Sequence, residues 1–158
     1  MNPSRVAQAI TVAGLVGLSI FGSLVYRAVS VEEASSSEAL TRFAAVRKKF
    51  GGQVPMLEVD ASGRVTRSAA SPVAASVVPG VKRLEVLGYR AAEERLVAAH
   101  VPFWFFSLKG PALQFAVRDT GLDLDRLGLT ADDLSRHGPG LVLDQVRPNG
   151  DRLLVWAE

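Results

Sequence analysis

Cysteine is absent from the 158 residues, which excludes disulfides, thiolate metal sites, a cysteine nucleophile and a lipid-modified cysteine. Histidine occurs only twice, so no site that needs three imidazoles can be built. An excess of one charge is missing too: 18 basic against 16 acidic side chains leave +2. Without a dense basic tract, nothing points to nucleic acid as a partner. G-x-S-x-G, S-x-x-K and H-E-x-x-H do not occur, and Gly138-Pro139-Gly140 lacks the lysine of a phosphate loop. No catalytic residue, cofactor or metal ligand is therefore assigned. A hydrophobic content of 48% with 22% charged residues argues against both disorder and a multispan transporter.

What the chain does have is one long uncharged run. Val6 to Tyr26 comprises 21 residues between Arg5 and Arg27. At about 1.5 Å per helical residue it spans a hydrocarbon core of roughly 30 Å. Tyr26 and Arg27 suit the headgroup layer, one as an amphipathic ring and the other as a cation that reaches water. Ala28-Val29-Ser30 offers the small residues of a signal-peptidase site, but the apolar run exceeds the usual signal core of about 7 to 15 residues. The expectation is a retained single-pass signal anchor. The positive charges flanking it do not fix its orientation. The short amino-terminal tail and the lack of cysteine favour an extracytoplasmic domain at the cell membrane.

Beyond the anchor, residues 27–37 read as a polar connector. Ser35 and Glu38 have capping-box spacing, and the pattern predicts a helix to about Phe50, with Arg47, Lys48 and Lys49 complementing its C-terminal dipole. A basic patch on anionic headgroups is the functional alternative for those three cations. Met56–Asp60 and Arg64–Ser68 read as a hairpin, and residues 70–80 as a loop. Leu84–Tyr89 and Leu96–Leu108 read as a second hairpin, followed by a short helix over Pro111–Asp119. Thr130 opens a helix over 131–137, and Pro148-Asn149-Gly150 joins the strands Leu141–Arg147 and Asp151–Trp156. The fold class expected is α+β: one transmembrane helix at 6–26 after a tail of residues 1–5, then a single domain, 38–158, of antiparallel β-hairpins with short helices.

Charge is uneven along the chain. Residues 27–109 carry 12 basic and 8 acidic side chains, and residues 110–158 carry 5 and 8. Asp119, Asp123, Asp125, Asp132 and Asp133 invite a calcium reading, but Leu127 and Leu134 stand where a calcium loop needs oxygen ligands. A solvated face beside buried leucines explains them. His100 and His137 have structural explanations, the latter as a cation facing the carbonyl end of its helix.

The aromatic run Phe103-Trp104-Phe105-Phe106 is the remaining feature. As a strand it sets Phe103 and Phe105 on one face and Trp104 and Phe106 on the other. Burial on both faces is the expectation, and Trp104→Ala should then cost about 3 to 5 kcal/mol. If one face is open, Trp104 and Phe106 are the binding residues, for a partner or for the membrane surface. The functional expectation is a single-pass, membrane-anchored envelope protein with a small non-catalytic interaction or scaffolding domain. Its partners are the bilayer, through residues 6–26, and another envelope protein. The alternatives are a membrane-tethered hydrolase or transferase built on Asp132, Asp133 and His137, and a regulator facing the cytoplasm.

Overall fold

A computed structural model describes residues 29–60, 62–68, 80–107 and 117–158. The expected anchor at 6–26, most of the loop 70–80 and most of the helix over Pro111–Asp119 lie outside these residues. Among the described residues no helix is long and apolar enough to cross a membrane. The elements are β1 (Val29–Glu33), α1 (Ser36–Lys49), β2 (Leu57–Val59), β3 (Val65–Arg67), β4 (Arg83–Arg90), β5 (Arg95–Pro102), α2 (Leu124–Leu127), α3 (Ala131–His137), β6 (Gly140–Val146) and β7 (Arg152–Ala157). The fold is α+β, with one seven-stranded mixed sheet in the order β1-β5-β4-β7-β6-β2-β3.

Side-chain alternation along the central strands divides the interior into two layers. Leu87 and Tyr89 of β4, Leu96 of β5, and Leu154 and Trp156 of β7 pack with Ala39 and Phe43 of α1. Leu84, Val86, Ala99, Val101, Leu153 and Val155 face the other way, onto Leu124, Leu127 and Leu134 of α2 and α3. One helix therefore covers one face and two short helices cover the other. Ser35 caps α1 reciprocally with Glu38: Ser35 N donates to Glu38 Oε2 at 2.8 Å, and Glu38 N donates to Ser35 Oγ at 3.4 Å. Arg47 then clamps α1 to β6 through a two-pronged contact with Asp144, in which Arg47 Nε donates to Oδ2 at 2.5 Å and Nη2 meets Oδ1.

The register gives the sheet two distinct ends. Val29 pairs with Ala99, Leu84 with Val101 and Ala157, and Gly140 with Ala157, so these residues share one end. Glu33, Tyr89, Val146 and Arg152 lie toward the other. Helix α1 starts near the Arg152 end, where Ser36 Oγ meets Tyr89 Oη at 3.0 Å. It finishes near the Val29 end, where Phe50 lies 6.3 Å from the Trp156 ring.

Three expectations change. Residues 29–33, read as part of a polar connector, form an edge strand, because backbone pairing with β5 needs no apolar side chains; four of the five residues are exposed. Pairing is not all antiparallel: Leu57 of β2 lies beside Leu143 of β6 in parallel register, which a reading of neighbouring hairpins cannot supply. The second strand of the middle hairpin stops at Pro102, and Phe103–Ser107 is a 3-10 turn. Proline has no N–H to continue the ladder, and Phe103 N donates instead to Lys82 O at 2.8 Å.

Gly88 marks a close approach of backbone to backbone. A Cβ there would stand 2.2 Å from the backbone oxygen of Thr120, whose 3-10 turn (Arg118–Thr120) crosses β4. The register also shows that removing residues 1–30 would cut into β1, whereas residues 28–158 keep the sheet whole. We expect residues 28–158 to fold as a monomer, and Gly88→Ala in that chain to lose about 1 to 3 kcal/mol in denaturant unfolding, because backbone rather than a flexible side chain must move.

Candidate functional site

Two hairpin tips meet at the Arg152 end. In the β2–β3 tip, Asp60 Oδ1 accepts hydrogen bonds from Ser62 N at 2.9 Å, Ser62 Oγ at 2.6 Å and Arg64 N at 2.9 Å. In the β6–β7 tip, Gly150 N donates to Arg147 O at 3.0 Å and Asp151 N to Asn149 Oδ1 at 3.1 Å. The parallel β2–β6 pairing sets the tips side by side. Between them opens a cleft of about 410 Å³, lined in part by Asp60, Ser62, Arg126, Gln145, Arg147 and Asn149.

Both arginines are held by backbone carbonyls. Arg126, on α2 behind the Asp123 cap, donates from Nη2 to Gly63 O at 3.3 Å. Arg147 Nη2 donates to Gly121 O at 2.8 Å. Gly63 has φ +80, and a Cβ there would lie 1.8 Å from Arg126 Nη2. A guanidinium has five N–H donors, so these contacts position each cation and leave donors for a ligand. The acid in the cleft is engaged by its own turn. The Ser62 hydroxyl, with backbone N–H groups behind it, holds the Asp60 carboxyl below its usual range. The arrangement can recognise a carboxylate or a phosphate.

The residues singled out in the sequence lie elsewhere. Trp104, expected to be core, is 55% exposed. In a helical turn Phe105 is buried, while Phe103 and Phe106 pack against the core. Trp104 projects outward, edge-on to Phe105 at 5.2 Å. Phe106 stacks on Phe103 at 6.4 Å rather than sharing a surface with Trp104. Glu85 is buried at the Val29 end and accepts from Arg83 Nε at 2.7 Å while meeting His100 Nδ1. Arg83 Nη2 also reaches Glu158 Oε2 at 2.5 Å, and Trp156 Nε1 donates to Glu158 Oε1 at 3.0 Å. This network braces the end of the sheet.

Asp132, Asp133 and His137 do not converge either. Asp132 is exposed. Asp133 belongs to the α3 cap, accepting from Thr130 N at 3.1 Å, and it accepts from Arg67 Nη1 at 2.6 Å. His137 was expected as a cation, but burial holds it below the ordinary histidine range, against the opposing effect of a hydrogen bond to the Leu141 backbone, and favours the neutral ring. Among the described residues, no group of three or more His, Asp or Glu could hold a metal ion. Sequence reasoning missed Arg126 and Arg147, because the pairing that brings their loops together is non-local. Turn chemistry located the two tips without indicating that they flank one cleft.

No protein-family profile, curated protein or solved structure matches this chain.

Two measurements follow from these positions. Trp104→Ala should cost about 1 kcal/mol or less, the worth of one aromatic edge contact, where a core tryptophan would cost about 3 to 5. Asp133 is pulled from 3.8 to about 2, chiefly by the Arg67 hydrogen bond. Its folded value is depressed, so its stabilising effect is full above its unfolded pKa and is lost as pH falls from about 4 toward 2. The drop in melting temperature across that window should be smaller in Asp133→Asn than in the unaltered chain.

Proposed function

We propose that this chain is a single-pass, membrane-anchored envelope protein whose α+β domain is an extracytoplasmic interaction module. Its anchor is the apolar segment 6–26. The observation that carries the reading is the cleft at the Arg152 end, where Arg126 and Arg147 offer donors and the neighbouring Asp60 is committed to its own turn. Such a surface binds anionic groups without transforming them. The partner is an envelope protein that presents carboxylate side chains, recognised by paired guanidinium groups. A further support is position: β1 begins two residues after Arg27, so the anchor feeds the Val29 end and the cleft faces away from it.

In membrane fractions the full chain should resist both high salt and alkali, and release by either would overturn the anchored reading. A reporter fused after Glu158 that works only outside the cytoplasm should be active. A photo-crosslinker at Asn149 should capture one partner in intact cells, and Arg126→Gln with Arg147→Gln should abolish capture while leaving the domain folded, with a melting temperature lowered only by the loss of the Gly63 and Gly121 contacts. Capture that survives the double substitution would place the partner elsewhere on the domain.

A further inference from the structure

We propose that the Val29 end of the domain docks on the headgroup layer of an anionic bilayer, with Trp104 set in the interface and Lys48, Lys49 and Lys82 over the anionic headgroups. The inference rests on the anchored reading above and deepens it by stating what covers the aromatic turn.

Reach decides the geometry. Two residues, Arg27 and Ala28, separate Tyr26, the last of the apolar segment, from Val29, and an extended chain covers at most about 10 Å over these three steps. The apolar segment therefore ends within about 10 Å of Val29. Antiparallel to β1, β5 runs past that same point: Val29 pairs with Ala99, and Pro102 lies three residues beyond. At about 3.3 Å per residue, Pro102 is about 10 Å further along. The turn carrying Trp104 follows at once, which brings the indole to the level where the apolar segment meets water.

The chemistry at this end suits that level. Trp104 is a large exposed ring at the end of the sheet nearest the bilayer, and tryptophan concentrates in the headgroup layer. Lys82 is exposed beside it, its carbonyl accepting from Phe103 N at 2.8 Å. On the other face of the sheet, α1 ends with exposed Lys48 and Lys49. The carboxylates nearby are already matched, because Arg83 engages both Glu85 and Glu158. The end therefore presents ammonium groups and an indole together, which fits an anionic lipid surface.

The sequence has two tryptophans, and Trp156 is buried, so Trp156→Phe in the full chain leaves Trp104 as the sole indole reporter. We would reconstitute this chain in phosphatidylcholine vesicles containing phosphatidylglycerol, using lipids brominated at different depths, and wash at alkaline pH. The expected result is retention of the chain with Trp104 emission shifted to the blue. Quenching should be strongest for bromine near the headgroups, and aqueous iodide should quench weakly. Replacing Lys48, Lys49 and Lys82 by glutamine should lower the docked-to-undocked ratio by about fivefold per lysine, and high salt should act in the same direction. Retention with Trp104 freely quenched by iodide would overturn the docking while leaving the anchor intact. Loss of the chain in the alkaline wash would overturn the anchor and the docking together.

Discussion

The pairing of β4 with β7 holds the rest of the fold in place. Each of these strands belongs to its own hairpin, β4 with β5 and β7 with β6, and six residue pairs from Leu84–Ala157 to Tyr89–Arg152 join them into one sheet. Only after that junction forms do both faces of the sheet become wide enough to bury a layer. Phe43 of α1 and Leu134 of α3 are fully buried on opposite sides of it. Burial of each such side chain contributes about 1.5 to 3 kcal/mol, and none of it is available to an isolated hairpin. Gly88 stands in the same strand because a second layer of backbone, at Thr120, must come within contact distance of the sheet.

Local chemistry was legible in the sequence, and long-range pairing was not. The Ser35–Glu38 box, the Thr130 cap, the helix at 131–137 and the Pro148-Asn149-Gly150 hairpin follow from signals within a few residues, and the structure has them. The edge strand Val29–Glu33 escaped because it is short and mostly exposed, with Val31 as open to solvent as its polar neighbours; its identity comes from the β5 backbone. The aromatic run misled in the opposite sense. Four consecutive aromatics suggest a strand buried on two faces, but Pro102 ends the ladder first, and a helical turn then divides the rings between core and solvent. The candidate cleft was out of reach for the same reason as β1: it exists through the single parallel register of β2 with β6.

Arginine serves here as a fastener more than as a surface charge. Arg47 fixes α1 to β6, Arg67 ties the β3 strand to α3 through Asp133 and Gly128 O, and Arg83 neutralises the buried Glu85. Arg47 and Arg67 span elements distant in sequence, Arg83 reaches Glu158 as well as its strand neighbour Glu85, and each uses the planar fork to meet more than one acceptor. Lysine could not replace them without losing one of the two contacts. Arg126 and Arg147 follow the same habit, resting on the carbonyls of Gly63 and Gly121. Their spare donors are a by-product of bracing loops across the edge of the sheet.

The edge strand β1 has a mechanical consequence. It runs from the Val29 end toward the Arg152 end, paired with β5 over five residues. Its interstrand hydrogen bonds lie across the strand axis. A pull on the residues before Val29, directed along that axis, loads the whole ladder in shear, so the bonds share the force and must yield together rather than one at a time. In an anchored chain, any tension between the bilayer and the domain would pass through this ladder before it reached the core.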